Sequence, residues 1–491
     1  MKKLRIASLA SEVAPFSKTG GLADVARSLP KSLKRLGHDV IVITPFYKQL
    51  IDKEKYKLKK IFTDIPLHVP TETNLTVSYY QGELMKGLPI YFVSHEGYFG
   101  KRKTIYSSEN DNRRFYVFDV AALKLLLLLQ YTPDIIHCHD WHAGLVPELL
   151  KKQFADSESL AGAATVFTIH NLIFQLGHPW SDIPGPKRDR GLKPIPDIES
   201  EKEMERINPT KRAIMYADVI NAVSETYAEE ILQKHFGEDL HRILQNRKDK
   251  LFGVVNGIDY LEFNPASDTN IFKNFDYKKI HRKKLNKAEV QRRYKLPIDT
   301  DAFLIVMTSR IAEQKGFDIL LPIIEPLMKL KIQMIFMGDG DKEYIKMINK
   351  LIRKYPAQIA FAPFNNDHET MLFAGGDVSL FPSRFEPCGT GQLKSMRYGC
   401  VPVAREIGGL SDTVTDIDQD ITTSNGFSFS TYDSRELLIA ITRAYTYYQH
   451  HEPWRSLVVR GMQQSNSWEL PARKYVELYK KALKFKKDNQ K

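Results

Sequence analysis

The sequence predicts an α/β protein made of two doubly wound, Rossmann-like domains. Short apolar runs typical of buried parallel strands recur along the chain, and each is followed by a loop and a stretch of helical periodicity. Two such series occur, one on each side of a polar and basic stretch at 268–287. The length of 491 residues suits two large α/β domains as well as three smaller ones.

The first series predicts a domain over residues 1–253. A strand at 4–9 leads through a loop with paired glycines to an amphipathic helix at 22–36 and a second strand at 40–44. Strand, loop, helix and strand in this order form a βαβ unit. Further strands are predicted at 89–93, 135–138, 164–169 and 219–223, with a helix at 115–129.

The second series predicts a domain over residues 254–467, and the helix within 468–491 is expected to join the first domain. The basic stretch at 268–287 is expected to be a solvated segment beyond a hinge. The two domains are expected to face each other across a deep cleft, where the carboxyl ends of the strands bind ligands. Strands of the second domain are predicted at 303–308, 333–337, 359–362, 378–381 and 401–404.

Composition excludes several classes of protein. Hydrophobic residues are 43% and charged residues 26% of the chain, which excludes a wholly disordered or fibrous protein. Three cysteines without a CxxC pair disfavour a disulfide framework and favour a reducing, cytoplasmic location. The best apolar run, Leu125–Leu129, is far shorter than the ~18 residues of a spanning helix, so no membrane association is expected.

The charge balance leaves two interpretations open. The formal net charge of +12, from 71 basic and 59 acidic residues, suits either an anionic ligand or a basic surface that only aids solubility. Nucleic acid is not expected as a partner, because the basic runs lack interleaved aromatic residues and no known binding module is present.

The loop after the first strand is a candidate phosphate site. Lys18 is followed by Gly20 and Gly21 directly before a helix. Glycines let a ligand approach the backbone, and free N–H groups at a helix N-terminus attract anions. The loop matches neither the dinucleotide fingerprint nor the P-loop, and an ordinary tight turn is the alternative.

Two further loops of the first domain carry polar side chains. Three histidines, Cys138 and Asp140 fall within residues 137–142, a composition that resembles a metal site. Because successive strand residues point to opposite faces, they cannot all converge on one ion, and no metal is expected. Asp140 is instead expected to bind a sugar hydroxyl or a proton, beside His170 at the end of the next strand.

The second domain offers cations and a carboxylate in equivalent loops. Arg310 and Lys315 follow its first strand and suit two phosphates, with an ordinary solvated loop as the alternative. Glu386 follows a later strand, where a carboxylate can orient a sugar ring, although it too could simply be solvated. Backbone amides that could hold phosphate belong to Cys388, Gly389, Thr390 and Gly391.

A nucleotide-sugar fits this combination of phosphate-binding and hydroxyl-binding groups. No D-x-D metal dyad stands out. Arg310 and Lys315 would then carry the leaving-group charge that Mg²⁺ carries elsewhere, so neither a metal nor another cofactor is expected.

Seven motifs spread along the chain form a recognisable set. They are Lys18-Thr-Gly-Gly-Leu22, His139-Asp-Trp141, Thr168-Ile-His-Asn171, Asn256-Gly-Ile-Asp259, Arg310 with Lys315-Gly316, Pro382-Ser-Arg-Phe-Glu-Pro-Cys-Gly389 and Gly408-Gly-Leu-Ser-Asp412. With these motifs the chain resembles bacterial glycogen synthases and plant starch synthases over nearly its whole length. The resemblance implies a GT-B glycosyltransferase that moves glucose from ADP-glucose to the non-reducing 4-OH of an α-1,4-glucan, with retention and without metal.

The resemblance also implies roles for individual residues of the first domain. Lys18 and the amides of Gly20 and Gly21 would face the nucleotide phosphates and the donor sugar. Asp140 and His170 would lie at the glucose and acceptor site.

In the second domain the implied roles concern the donor. Arg310 and Lys315 would bind the diphosphate and stabilise it as it leaves, while Glu386 would hold the glucose hydroxyls. Asn256 would lie near the hinge and the glucose. Tyr98 of the first domain is placed on the acceptor side.

Three departures from the family pattern stand out. Gly389-Thr390-Gly391 replaces a usual Gly-Leu-Thr, which leaves the amides in place. Lys394 stands where E-x7-E transferases have a second glutamate, which favours the glycogen synthase branch. The loop at 175–180 is longer than the usual Gln-Gly turn, which leaves acceptor contacts open.

Four alternative functions stay open at this point. One is a transferase that uses UDP-glucose or builds another glucoside, and another is a glucan phosphorylase, which would need pyridoxal phosphate on a lysine. A third is a non-catalytic glucan-binding protein of the same fold, disfavoured by intact Lys18, Arg310, Lys315 and Glu386. Nucleic-acid binding is the weakest.

Overall fold

The computed structural model describes residues 3–67, 75–106 and 110–488. The chain divides into two compact units, one running to Val254 and resuming at Trp468, the other spanning Val255–Ser467. The division falls one residue beyond the predicted boundary at 253, and the C-terminal helix belongs to the first unit. No helix in these described ranges is long and apolar enough to cross a membrane.

The first unit is built on a nine-stranded sheet over its described residues, in the order β3-β4-β5-β2-β1-β6-β7-β8-β9. Its strands run parallel except for antiparallel pairing of β3 with β4 and of β4 with β5. The strands are β1 (Arg5–Leu9), β2 (Asp39–Pro45), β3 (Lys59–Pro66), β4 (Thr76–Met85), β5 (Leu88–Ser94), β6 (Ile135–His139), β7 (Ala164–Ile169), β8 (Val219–Ala222) and β9 (Leu251–Gly253).

The fully buried parallel strands of this sheet are the ones that the sequence predicts. β1, β2, β5, β6, β7 and β8 are almost wholly buried and mostly apolar, as parallel strands covered on both faces require, although buried polar residues such as Ser8, His137 and Asn221 interrupt them. The structure adds β3, β4 and β9, which the sequence analysis missed. β3 alternates exposed and half-buried residues, and β9 is only three residues long, so neither has the buried-run signature.

Helices of the first unit pack on the sheet through apolar faces. Helix α1 buries Leu22, Val25, Leu29 and Leu33, and the chain turns at Gly37 with a φ of 92° just beyond its end. The helices are α1 (Gly21–Arg35), α2 (Asp111–Leu128), α3 (Val146–Lys152), α4 (Glu201–Met204), α5 (Pro209–Tyr216), α6 (Glu225–Glu230), α7 (His241–Gln245) and α17 (Glu469–Asp488).

The C-terminal helix α17 is attached to the first sheet by two buried tyrosines. The Asn221 side-chain amide donates to the Tyr475 hydroxyl at 3.0 Å. The Tyr479 hydroxyl lies 2.9 Å from Nδ1 of His137. These contacts reach β8 and β6, which explains why the chain returns to the first unit after completing the second.

The second unit contains a six-stranded parallel sheet in the order β12-β11-β10-β13-β14-β15. All five predicted strands are present, and the three-residue β15 was missed. The strands are β10 (Phe303–Thr308), β11 (Ile332–Met337), β12 (Ile359–Ala362), β13 (Val378–Phe381), β14 (Val401–Arg405) and β15 (Phe427–Phe429). The helices are α8 (Lys283–Arg293), α9 (Phe317–Leu320), α10 (Ile324–Leu327), α11 (Lys342–Lys354), α12 (Asn366–Gly375), α13 (Gly391–Arg397), α14 (Gly408–Thr413), α15 (Ser434–Tyr448) and α16 (His451–Gln463).

The prediction that 268–287 is a solvated segment is wrong for its lysines at 283 and 287. Both are buried at the start of α8. The Lys283 ammonium donates to the carbonyls of Phe373, Ala374 and Tyr398, and Lys287 lies 2.6 Å from the Asp377 carboxylate. These partners lie about ninety or more residues away in the sequence, so the local run of charge does not reveal them.

Each sheet has a point where the strand order reverses next to its first strand, and candidate residues of that unit lie at each of these points. In the first sheet β1 lies between β2 and β6, and in the second β10 lies between β11 and β13. Loops that leave the carboxyl ends of the two strands at such a point diverge to opposite faces and open a crevice. The loops after β1 and β6, and those after β10 and β13, therefore flank a crevice in each unit.

Candidate active site

The Lys18 loop follows β1 and leads into α1, as predicted. Cβ atoms placed on Gly20 or Gly21 would meet nothing within 4 Å, so the backbone there is open to a ligand. The Lys18 ammonium lies 2.8 Å from both Asp24 carboxylate oxygens and is 38% exposed. Lys18 is therefore already held by an acidic neighbour, and a phosphate there would share the cation with Asp24.

A buried carboxyl that the sequence analysis missed supports this loop. Glu12 is almost fully buried, and it accepts hydrogen bonds from the Thr19 backbone N–H at 2.5 Å and the Thr19 hydroxyl at 2.9 Å. Burial raises the pKa of Glu12 to about 7, although both Thr19 contacts act in the opposite direction. The only sequence signal was an acidic residue three positions after the end of a buried strand.

The raised pKa of Glu12 predicts a pH dependence of stability. Because the pKa is about 7 in the folded protein and near 4.3 in an unfolded chain, the folded state binds the extra proton between these values. The contribution of protonated Glu12 to the free energy of unfolding is fully present below the unfolded pKa and is lost as pH rises through about 7. Between pH 5 and 8 the parent protein should therefore lose on the order of 2 kcal/mol more stability than Glu12→Gln, measured by urea unfolding.

Glu54→Gln is the matched control for Glu12→Gln. Glu54 is exposed and belongs to the same unit, so its replacement should leave the pH profile unchanged. Equal pH profiles in the parent and Glu12→Gln proteins would contradict the assignment of the raised pKa to Glu12.

Asp140 and His170 meet at the ends of β6 and β7. The Asp140 carboxylate accepts the His170 backbone N–H at 2.7 Å, and the Asp140 backbone has a φ of 56°. Burial raises the pKa of Asp140 to about 7, while the N–H donors of His170 and Asn171 lower it. The predicted proximity of Asp140 and His170 is thus present, and part of the carboxylate's acceptor capacity is spent on positioning the His170 backbone.

The histidines of the 137–142 segment are packed and hydrogen-bonded individually. His137 bonds the Thr168 hydroxyl at 2.7 Å, and His139 bonds His170 at 3.0 Å. Burial lowers the pKa of both His137 and His170 to about 3, so these imidazoles are neutral at physiological pH. Across residues 3–67, 75–106 and 110–488, no group of three or more His, Cys, Asp or Glu is arranged to hold a metal ion.

Lys315 and Glu386 form the centre of the cluster in the second unit. The ammonium lies 2.5 Å from Oε2 of Glu386, which also accepts the Ser383 hydroxyl at 3.1 Å. The Lys315 and Glu386 side chains are only 19% and 12% exposed. This pair connects the loop after β10 to the loop after β13, across the reversal point of the second sheet.

Arg310 lies on the exposed side of the same loop. Its guanidinium donates to the Gln314 side-chain oxygen at 2.8 Å. Gln314 in turn donates to the Phe385 carbonyl at 3.4 Å, beside Glu386. The arrangement leaves a second, solvent-accessible cation near the Lys315–Glu386 pair, as two phosphates would require.

Close backbone contacts hold the three loops of this cluster together. A Cβ on Gly316 would lie 2.0 Å from the Pro382 carbonyl oxygen. A Cβ on Gly408 would lie 2.0 Å from the Glu386 carbonyl oxygen, and one on Gly409 would lie 2.1 Å from that of Cys388. Only glycine permits these approaches, so the loop positions depend on all three.

Gln392, in the first turn of α13, is a second residue that the sequence analysis missed. Its side-chain amide donates to the carbonyls of Cys388 at 3.2 Å and Gly389 at 3.0 Å, and to the Thr413 hydroxyl at 3.1 Å. These carbonyls therefore face the interior of the unit. Burial raises the pKa of the Cys388 thiol to about 12, so this cysteine is protonated and serves packing rather than nucleophilic chemistry.

Asn256 lies beside Cys388 in the second unit and hydrogen-bonds to its thiol. Its side-chain oxygen is buried and has no hydrogen-bond partner among the described residues. Because buried polar atoms are normally satisfied, this oxygen is a ready acceptor for a ligand hydroxyl.

Two further parts of the first unit were singled out from the sequence, Tyr98 and the loop at 175–180. Tyr98 lies in a single π-helical turn at 96–100, and its backbone N–H donates to the His95 ring at 3.1 Å. In the longer loop at 175–180, the Gln175 side chain accepts from Asn208 at 2.7 Å and donates to the Glu238 carbonyl at 2.8 Å. The longer loop is thus anchored to two distant segments.

The two units offer different chemistry. The first unit brings together buried carboxyls and neutral imidazoles, which recognise hydroxyl groups. The second combines two cations with a carboxylate and an unsatisfied amide oxygen, which suits phosphate next to a hydroxylated ring.

Comparisons with known proteins cover nearly the whole chain and agree with one another. The starch synthase catalytic domain family matches residues 5–246, and the family of glycosyl transferases group 1 matches residues 290–456. Glycogen synthase of Geotalea daltonii is 39% identical over 98% of this chain and 99% of its own length. Glycogen synthase of Pseudothermotoga lettingae is 37% identical over 98% of this chain and 100% of its own length.

A solved structure extends this similarity to the fold. The catalytic domain of starch synthase IV from Arabidopsis thaliana, bound to ADP and acarbose, superposes with a TM-score of 0.86 at 30% identity. The match covers 98% of this chain and 100% of that domain. The two parallel α/β units are thus those of a GT-B glycosyltransferase, and the chain belongs to the glycogen and starch synthase family.

Proposed function

We propose that this glycogen synthase takes its glucose from ADP-glucose and adds it, with retention, to the non-reducing 4-OH of an α-1,4-glucan. The observation that carries the donor assignment is the Lys315–Glu386 pair with Arg310 beside it, which offers positive charge to phosphate and a carboxylate to sugar hydroxyls. The similar starch synthase IV domain was solved with ADP, which supports the choice of nucleotide.

The proposed reaction breaks the bond from glucose C1 to the diphosphate and forms a bond from C1 to the acceptor O4. Arg310 and Lys315 stabilise the negative charge that develops on the departing ADP, and the Lys18 loop with the Gly20 and Gly21 amides supports the phosphates. The acceptor hydroxyl enters on the face that ADP leaves, and its proton passes to a donor phosphate oxygen.

Sugar recognition is assigned to the remaining polar groups. Glu386 accepts hydrogen bonds from glucose hydroxyls, and the unsatisfied Asn256 oxygen accepts another. Neutral His170 and the Asp140 carboxyl contact the glucose and the acceptor. The N–H groups of Cys388, Gly389, Thr390 and Gly391 serve the phosphates.

No metal or cofactor takes part in the proposed mechanism, because Arg310 and Lys315 supply the positive charge. We also place the protein in the cytoplasm, a proposal supported by three free, buried cysteines.

Radiolabelled ADP-glucose and UDP-glucose, supplied separately with glycogen, test this proposal. We expect incorporation from ADP-glucose to exceed that from UDP-glucose, to persist with EDTA, and to yield a product that α-amylase degrades. Preference for UDP-glucose would refute the donor assignment, and loss of activity with EDTA would refute the metal-free mechanism. No incorporation from either donor would favour a glucan-binding protein.

A further inference from the structure

Two buried polar side chains, Ser8 and His139, form a hydrogen-bonded chain behind the partly buried His170. Oγ of Ser8, in β1, lies 3.3 Å from Nε2 of His139, the last residue of β6. Nδ1 of His139 lies 3.0 Å from Nε2 of His170, which follows β7. The chain thus crosses three neighbouring strands at the reversal point of the first sheet.

The His139 ring cannot easily reorient. It is fully buried, and its centroid lies 4.0 Å from that of His137. His137 is itself held at both ring nitrogens, by Thr168 at 2.7 Å and by Tyr479 at 2.9 Å. The His139 ring therefore packs against the His137 ring, which is itself held in place.

His170 is held at two points, its backbone N–H and its ring Nε2. Its backbone N–H donates to Asp140, and its Nε2 is engaged by His139. Burial lowers the pKa of both His139 and His170, so one N–H is shared between two neutral rings. In a neutral imidazole, the hydrogen bond at one nitrogen determines whether the other donates or accepts. His170 is only partly buried, and Nδ1 is the ring nitrogen that remains for a ligand.

We propose that His139 is a positioning residue, which selects the tautomer of His170 and thereby the hydrogen bond that Nδ1 makes with the sugar. The inference rests on the proposed contact between His170 and the sugar. It adds a requirement that packing alone would not impose, namely a polar atom at the position of His139 Nδ1.

Two amide replacements separate tautomer selection from packing. The side-chain amide of His139→Asn falls near the position of Nδ1 and can still contact His170, whereas that of His139→Gln falls near Nε2 and reaches Ser8 instead. We expect His139→Gln to lose roughly 10- to 100-fold in kcat, by analogy with outer-shell partners of other functional histidines, with little change in KM for ADP-glucose. His139→Asn should stay within a few-fold of the parent kcat.

If His139 only fills space, His139→Gln should keep a higher kcat than His139→Asn, because glutamine is closer to histidine in volume. Activity in His139→Gln equal to or above that in His139→Asn would overturn the inference. His170→Ala distinguishes failure of tautomer selection by His139 from failure of the proposed function. Activity of His170→Ala close to that of the parent would refute the contact between His170 and the sugar itself.

Tautomer detection keeps the inference testable even where a variant does not fold. In the parent protein labelled with ¹⁵N-histidine, the His170 signal, assigned by its loss in His170→Ala, should show one protonated and one unprotonated ring nitrogen. A fast average of the two tautomers would overturn the inference. In folded His139→Asn the single-tautomer pattern should persist, and in folded His139→Gln it should average.

Discussion

Replacing Lys315 with alanine is expected to lower kcat by about 10²–10³-fold, the usual effect of removing one group that stabilises developing charge. The ammonium lies 2.5 Å from Glu386 and is only 19% exposed, so water cannot readily replace its charge. Since the diphosphate gains charge as the bond to C1 breaks, the loss should fall mainly on kcat rather than on KM for ADP-glucose.

Lys354→Ala is the matched control for Lys315→Ala. Lys354 is also paired with a glutamate, at 2.5 Å from Glu325, and lies in the same unit, but it is 54% exposed and outside the cluster. Steady-state kinetics of both variants, after each is shown to be folded by circular dichroism, measure the difference. A Lys315→Ala enzyme with kcat within a few-fold of the parent would exclude Lys315 from leaving-group stabilisation.

Gly316→Ala is expected to lower kcat/KM by roughly 10²-fold, as misplacement of reacting groups by about 1 Å can do. The new Cβ would lie 2.0 Å from the Pro382 carbonyl oxygen, and the backbone φ of 83° is unfavourable for alanine. The loop after β10 must therefore move away from the loop after β13. Because Lys315 precedes Gly316, this displacement pulls the ammonium away from Glu386.

Gly37→Ala separates backbone strain from loop displacement. Gly37 also has a left-handed φ, 92°, but a Cβ there meets nothing within 4 Å and the residue lies beyond the end of α1. Gly37→Ala should therefore lower Tm while leaving kcat/KM unchanged, whereas Gly316→Ala should lower both. Equal kcat/KM in the two variants would contradict the argument that contact with Pro382 positions the loop.

Much of the fold could be predicted because its central strands carry a local signal. β7 and β10 are buried on both faces, and such strands require continuous apolar runs that can be read without any tertiary information. β3 could not be recognised, since its residues are exposed or half-buried and its pairing with β4 contains irregular register. Edge strands of this kind depend on their neighbour rather than on their own composition.

The candidate site was predictable where its residues follow strands directly. Lys18, Asp140 and Arg310 lie in loops at carboxyl ends, where topology concentrates function. Glu12 and Gln392 were missed because their roles depend on which backbone groups of nearby loops point inward. Glu12 accepts the Thr19 N–H, and Gln392 donates to the Cys388 carbonyl. Neither residue belongs to a spacing pattern that a sequence reader would select.

Two parallel α/β units with candidate anion-binding and hydroxyl-binding loops could be predicted from the sequence, because strand burial and loop position are properties of short segments. The partners of those groups depend on the tertiary structure. It buried Lys283 and Lys287, paired Lys315 with Glu386 and placed His139 behind His170. Such contacts join residues 31 to 115 positions apart, and a charge or a ring acquires its protonation state and partner only when the fold brings them together.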